Sequence, residues 1–131
     1  MRLDVDLSLT YILIYFSAIW CLTLVPYPTV NVTRYISQSF NCIVDPNWSS
    51  VAYFYGTENI SLFFVQDGKC KDYVDQSSGI YTTDCDDSTR TFYLTINNVT
   101  DDYNGRTIQC NVTYSAGVSS QQQSIINVQC K

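Results

Sequence analysis

From residue 29 onward, apolar and polar positions alternate along the chain. Phe40, Cys42 and Val44 share one parity, as do Val51, Tyr53 and Tyr55, and again Phe92, Leu94 and Ile96. A period of two places such residues on one face of a β-strand. Clusters of Gly, Asn, Asp and Ser separate the runs. The pattern predicts strands at 29–33, 39–44, 51–55, 60–66, 91–96, 107–114 and 121–129, with a short one at 79–83. Asp45-Pro46-Asn47 opens a loop over 45–50, and residues 56–59 turn the chain. Asp67-Gly68 reads as a hairpin turn, and 115–120 as a hairpin around Gly117. The 60–66 run is apolar enough to read as buried, whereas 69–90 is polar and acidic. No apolar run of helical period follows residue 25, so no helix is predicted. The expected fold is all-β, two antiparallel sheets packed as a sandwich.

The first residues follow another pattern. Leu9 to Val25 form an uncharged, mostly apolar run of 17 residues behind Arg2, Asp4 and Asp6. A short apolar core followed by small residues predicts a secretory signal peptide over 1–23, with the domain over 24–131; a cut after Cys21 is the rival. An uncleaved membrane anchor is the alternative, because 17 residues lie at the lower limit for a span. The expected location is secreted or extracellular. Contact with a membrane would come through an uncleaved signal or a further segment downstream.

Without residues 1–23 about 108 residues remain, with six basic and ten acidic side chains and a net charge of −4. Nucleic acid is excluded as a partner, since it demands clustered Lys and Arg. Five Asn-x-Ser/Thr triplets, at Asn31, Asn47, Asn59, Asn98 and Asn111, predict N-linked sugars and the secretory route. The five cysteines Cys42, Cys70, Cys85, Cys110 and Cys130 read as disulfide formers there. Zinc is disfavoured: the chain has no histidine and no Cys-x-x-Cys pair.

Four segments resemble the immunoglobulin superfamily across residues 29–129. Phe40-Asn41-Cys42 is similar to that family's second strand, and Val51-Ala52-Tyr53-Phe54-Tyr55 to its third. The stretch from Phe92 to Val99 is similar to the fifth strand and the bend after it. Asn104-Gly105-Arg106-Thr107-Ile108-Gln109-Cys110 is similar to the sixth, in a form found in many invertebrate domains. The family packs a Trp from its third strand on the inter-sheet disulfide; here Tyr53 takes that slot. It often has a Tyr two residues before its second cysteine, where this chain has Ile108, so Asn104-Gly105 is expected to hold the corner. The resemblance implies a Cys42–Cys110 disulfide through the sandwich, closing a loop worth about 4 kcal/mol in the chain-entropy model. Cys70–Cys85 is the second expected pair, worth about 3 kcal/mol, although four cysteines allow three pairings. Cys130 is then left over: it links a dimer, belongs to a hinge or following domain, or pairs internally with a displaced partner.

Chemistry is sparse. Without histidine no Ser-His-Asp or Cys-His arrangement forms. Asp84, Asp86 and Asp87, and Asp101 with Asp102, lack the spacing of a calcium loop and read as solvated turns. No cofactor, metal or catalytic residue is predicted, and the chain is not read as an enzyme. Eleven tyrosines stand out; most read as core and sheet filling. Trp48 in the 45–50 loop and Tyr114 beside the 115–120 hairpin are the candidate contact surface, at one end of the sandwich. The resemblance implies a recognition or adhesion domain binding a protein or glycan, with immune recognition among the family's roles. The alternatives are a spacer domain at the start of a larger membrane receptor and a small disulfide-rich secreted effector or inhibitor.

Overall fold

The computed structural model describes residues 21–130. Most of the expected signal segment therefore lies outside the described residues. The strands are β1 (Leu22–Val25), β2 (Thr29–Thr33), β3 (Gln38–Val44), β4 (Trp48–Tyr55), β5 (Glu58–Gln66), β6 (Lys69–Asp72), β7 (Tyr81–Asp86), β8 (Thr91–Ile96), β9 (Thr107–Tyr114) and β10 (Ser119–Gln129). One sheet has the order β1-β3-β8-β7, the other β2-β10-β9-β4-β5-β6. All pairs are antiparallel except β2 with β10, which run parallel from Thr29↔Ile125 to Thr33↔Gln129. The N-terminal segment thus serves both sheets, with β1 on β3 and β2 on β10. Pro26 and Pro28 lie in the crossing between them, where a residue without an N–H interrupts no ladder. Appending the β5–β6 hairpin to the sheet that holds β4, β9 and β10 is the variable-type plan of a sandwich.

Alternation builds the core. Phe40, Cys42 and Val44 of β3, Val51 and Tyr53 of β4, Phe92, Leu94 and Ile96 of β8, and Ile108, Cys110 and Val112 of β9 all point inward and are buried. Cys42 is bonded to Cys110 across this layer, with Cα atoms 6.5 Å apart. The Tyr53 hydroxyl, fully buried, donates to the Phe92 carbonyl at 2.7 Å. That bond satisfies a polar group that would otherwise cost free energy in the core. Cys70 is bonded to Cys85, joining β6 to β7 where the two sheets meet at one edge. At the corner before β9, Gly105 has φ +76°, a backbone region that side chains oppose. Its N–H donates to the Ile126 carbonyl at 2.8 Å, and Asn104 Oδ1 accepts the Val128 N–H at 2.9 Å. Ile108 is buried beside them in place of a corner tyrosine.

Several elements differ from the sequence pattern. Strand β1 lies across the expected boundary at 23/24, and Leu22 and Leu24 are core residues. Strand β7 begins at Tyr81, two residues late, because Gly79 takes φ +78° in the turn before it. A single 3₁₀ turn, Asp101–Tyr103, precedes the corner. Strand β5 is only partly buried: Ile60, Ser61 and Phe63 face inward, while Phe64, Val65 and Gln66 are exposed.

Candidate binding surface

The expected contact pair, Trp48 and Tyr114, does not form a surface. Tyr114 is buried; its hydroxyl donates to the Cys21 carbonyl at 2.7 Å and accepts the Asp45 N–H at 3.2 Å. Position 114 continues the inward parity of Ile108, Cys110 and Val112, and β1 closes over it. Trp48 is half-buried and packs edge-on against Phe92, ring centroids 4.8 Å apart, doing part of the packing that falls to a third-strand Trp in this fold. Their loops do share one end of the sandwich: the Ser115 N–H and hydroxyl both donate to the Asn47 carbonyl, at 2.8 and 3.0 Å.

The outer face of the six-stranded sheet divides into two regions. On β9, inward Ile108, Cys110 and Val112 leave Gln109 and Asn111 facing out, opposite Gln123 and Gln121 of β10. Gln109 Nε2 donates to Asn111 Oδ1 at 2.6 Å and to Gln121 Oε1 at 3.1 Å. Further along, Asn127 Nδ2 approaches Asn31 Oδ1 at 3.4 Å, between β10 and β2. This half is an amide surface.

The other region is an aromatic corner on β5 and β6. Phe63 and Phe64 are consecutive, so a period of two sends one into the core and the other out. Asp67 and Gly68, with φ +53° and +77°, make the two-residue turn that starts β6. The turn's register sets Lys71 opposite Phe64. Tyr73 continues past β6, its N–H donating to the Leu62 carbonyl at 2.8 Å. Its ring meets Phe64 edge-on at 5.3 Å, and Lys71 Nζ lies 5.9 Å from its centroid. On this face Phe64 is 38% exposed and Tyr73 51%. Adjacent exposed apolar side chains of this size mark an interaction site more often than scattered single ones do.

The corner is held rigidly. Asp72 accepts four hydrogen bonds: the Leu62 N–H at 3.0 Å, the Val74 N–H at 3.0 Å, Gln76 Nε2 at 3.0 Å and the Thr83 hydroxyl at 2.7 Å. Asp87 accepts the Cys70 N–H at 3.0 Å, next to the Cys70–Cys85 bridge. The remaining acidic residues of this region bind locally. Asp84 accepts the Cys85 N–H, and Asp86 accepts the Ser88 N–H and hydroxyl, which hold its carboxyl below the usual range. Asp101 pairs with Arg34 at 3.1 Å. Among the described residues, no three His, Cys, Asp or Glu side chains gather as a metal site.

The sugar-acceptor asparagines also have defined places. Asn31 and Asn111 lie in the amide half, with no hydrogen bond from either Nδ2 to another described residue. Asn59 is on the outer side of β5 near the Gly56 turn, its Nδ2 donating to the carbonyls of Ser61 at 3.0 Å and Tyr53 at 3.4 Å. Asn47 and Asn98 are exposed at opposite ends of the sandwich. Cys130 is exposed and forms no disulfide among the described residues.

A solved structure of murine CRIg superposes with a TM-score of 0.61, covering 83% of this chain and 98% of that one at 19% identity. The fold is an immunoglobulin-like sandwich. In all, 1202 solved chains match this one, so the likeness identifies a scaffold and names no partner. No family model matches the chain, and no curated protein does.

Proposed function

We propose that this immunoglobulin-like domain is an extracellular recognition module that binds a protein partner through the aromatic corner of β5 and β6. The observation that carries this reading is the stack of Lys71, Tyr73 and Phe64, exposed yet fixed by Asp72 and the Cys70–Cys85 bridge. A rigid aromatic surface loses little entropy on binding, so more of its contact energy appears as affinity. Lys69 and Lys71 add positive charge in an acidic chain, which favours an apolar partner surface rimmed by Asp or Glu. The disulfides suit an oxidising compartment. The wider roles expected of the scaffold, adhesion or immune recognition, rest on the same contact.

The test is binding of labelled, secreted, glycosylated domain to native cells. Phe64→Ala and Lys71→Glu should each weaken binding by tenfold or more, since a central anchor is worth about 2 kcal/mol. Both residues are exposed, so the melting temperature should hold. Unchanged binding by both variants would remove the corner as the site.

A further inference from the structure

The outer face of the six-stranded sheet is broad, and the aromatic corner occupies only one margin of it. We infer that N-linked sugars on Asn31 and Asn111 cover the amide half of this face and confine a partner to the corner; this rests on the binding surface proposed above. Asn111 sits on β9, a strand inside the sheet, at the register position between Ala52 and Gln121. Its Oδ1 is engaged by Gln109, which fixes the side chain, while its Nδ2 takes no partner among the described residues. Asn31 has the same arrangement, Oδ1 towards Asn127 and Nδ2 unbonded. Sugar is attached through that nitrogen to a chain not yet folded, and the finished fold must then accommodate it. An outward amide with an unbonded nitrogen does so at no cost in hydrogen bonds. Asn59 does not, because its Nδ2 holds the Tyr53 and Ser61 carbonyls across the β4–β5 bulge.

Position gives these sugars their effect. Two strands lie between Asn111 and β6, and the corner residues are displaced further toward the Asp67-Gly68 turn. Strands stack about 4.8 Å apart, so β9 is about 14 Å from β6 across the sheet. A sugar rising from Asn111 overlies Gln109, Gln121 and Gln123, its neighbours on β9 and β10, and leaves the far margin clear. Asn31 closes the opposite margin beside Ile125, which is 40% exposed.

The experiment uses the full chain secreted from a eukaryotic host. Peptide mapping after enzymatic sugar release, which converts each occupied Asn to Asp, should find Asn31 and Asn111 occupied. Hydroxyl-radical footprinting then compares this protein with the Asn31→Gln/Asn111→Gln variant. Oxidation of Ile125 should rise severalfold in the variant, whereas Phe64 and Tyr73 should label equally in both. An unoccupied Asn111, or equal labelling of Ile125, overturns the inference. Neither readout needs a partner, so corner variants that leave cell binding intact would fail the functional proposal separately.

Discussion

Tyr53 shows what one side chain must satisfy when it stands where this fold usually keeps a Trp. Its ring fills the space against the Cys42–Cys110 bridge, and its hydroxyl must find an acceptor without water; Phe92 provides it. Burial pushes the Tyr53 phenol far above its ordinary value and does the same for Tyr81. The folded state therefore holds these protons more tightly than the unfolded chain does. Their contribution is complete below about pH 10, the unfolded value, and is lost as pH rises beyond it. From neutral pH up to about 10 the urea midpoint should hold against this effect, and on the alkaline side of that value it should fall. Tyr53→Phe should cost about 1–2 kcal/mol at neutral pH and reduce the alkaline loss. An unaltered alkaline slope in the variant would contradict this account. The inward position of Tyr53 was legible from parity with Val51. The burial of Tyr114 was equally legible from parity with Ile108 and Val112, but its place next to a polar hairpin suggested exposure. What closes over it is β1, which the sequence pattern hid inside the apolar run of residues 9–25.

At the scale of elements, the β6–β7 region depends on covalent and polar ties more than on core. Between Tyr73 and Ile80 no side chain is buried, and the loop hangs from Asp72, Gln76 and the Cys70–Cys85 bond. The double variant Cys70→Ser/Cys85→Ser should lower stability by about 3 kcal/mol, the entropy of closing a loop of that size. Hydrogen exchange should quicken first at β6 and residues 73–80, while β3 and β9 stay protected. Uniform quickening across both sheets would show that the bridge acts globally instead. The polar composition of 69–90 announced this weakness in the sequence. The exposed end of β5 was harder to see. An unbroken apolar run reads as buried on both faces, and only the consecutive Phe63 and Phe64 hint that one of them must face out.

The whole molecule is two unequal sheets joined through the middle by one disulfide and along an edge by another. Period-two patterns identify strands and inward faces but carry no direction, so the parallel β2–β10 pair and the splitting of the N-terminal segment over both sheets were not legible. That splitting bears on maturation. Leu22 and Leu24 are core residues paired with Val44 and Cys42 of β3, so a leader cut after Thr23 would remove half of β1. N-terminal sequencing of the secreted product should find a first residue at or before Leu22; a product starting at Leu24 would mean that the sandwich holds without that register.

The parallel strand also fixes where the chain departs. Arg34 N–H donates to the Gln129 carbonyl at 2.9 Å, beside the Arg34–Asp101 pair, whereas the Asp67-Gly68 turn lies at the opposite pole with Asn47 and Ser115. Whatever grips this molecule near residue 130, whether bead, neighbouring chain or cell, therefore holds it at the pole away from the turn and leaves Phe64 facing the visitor.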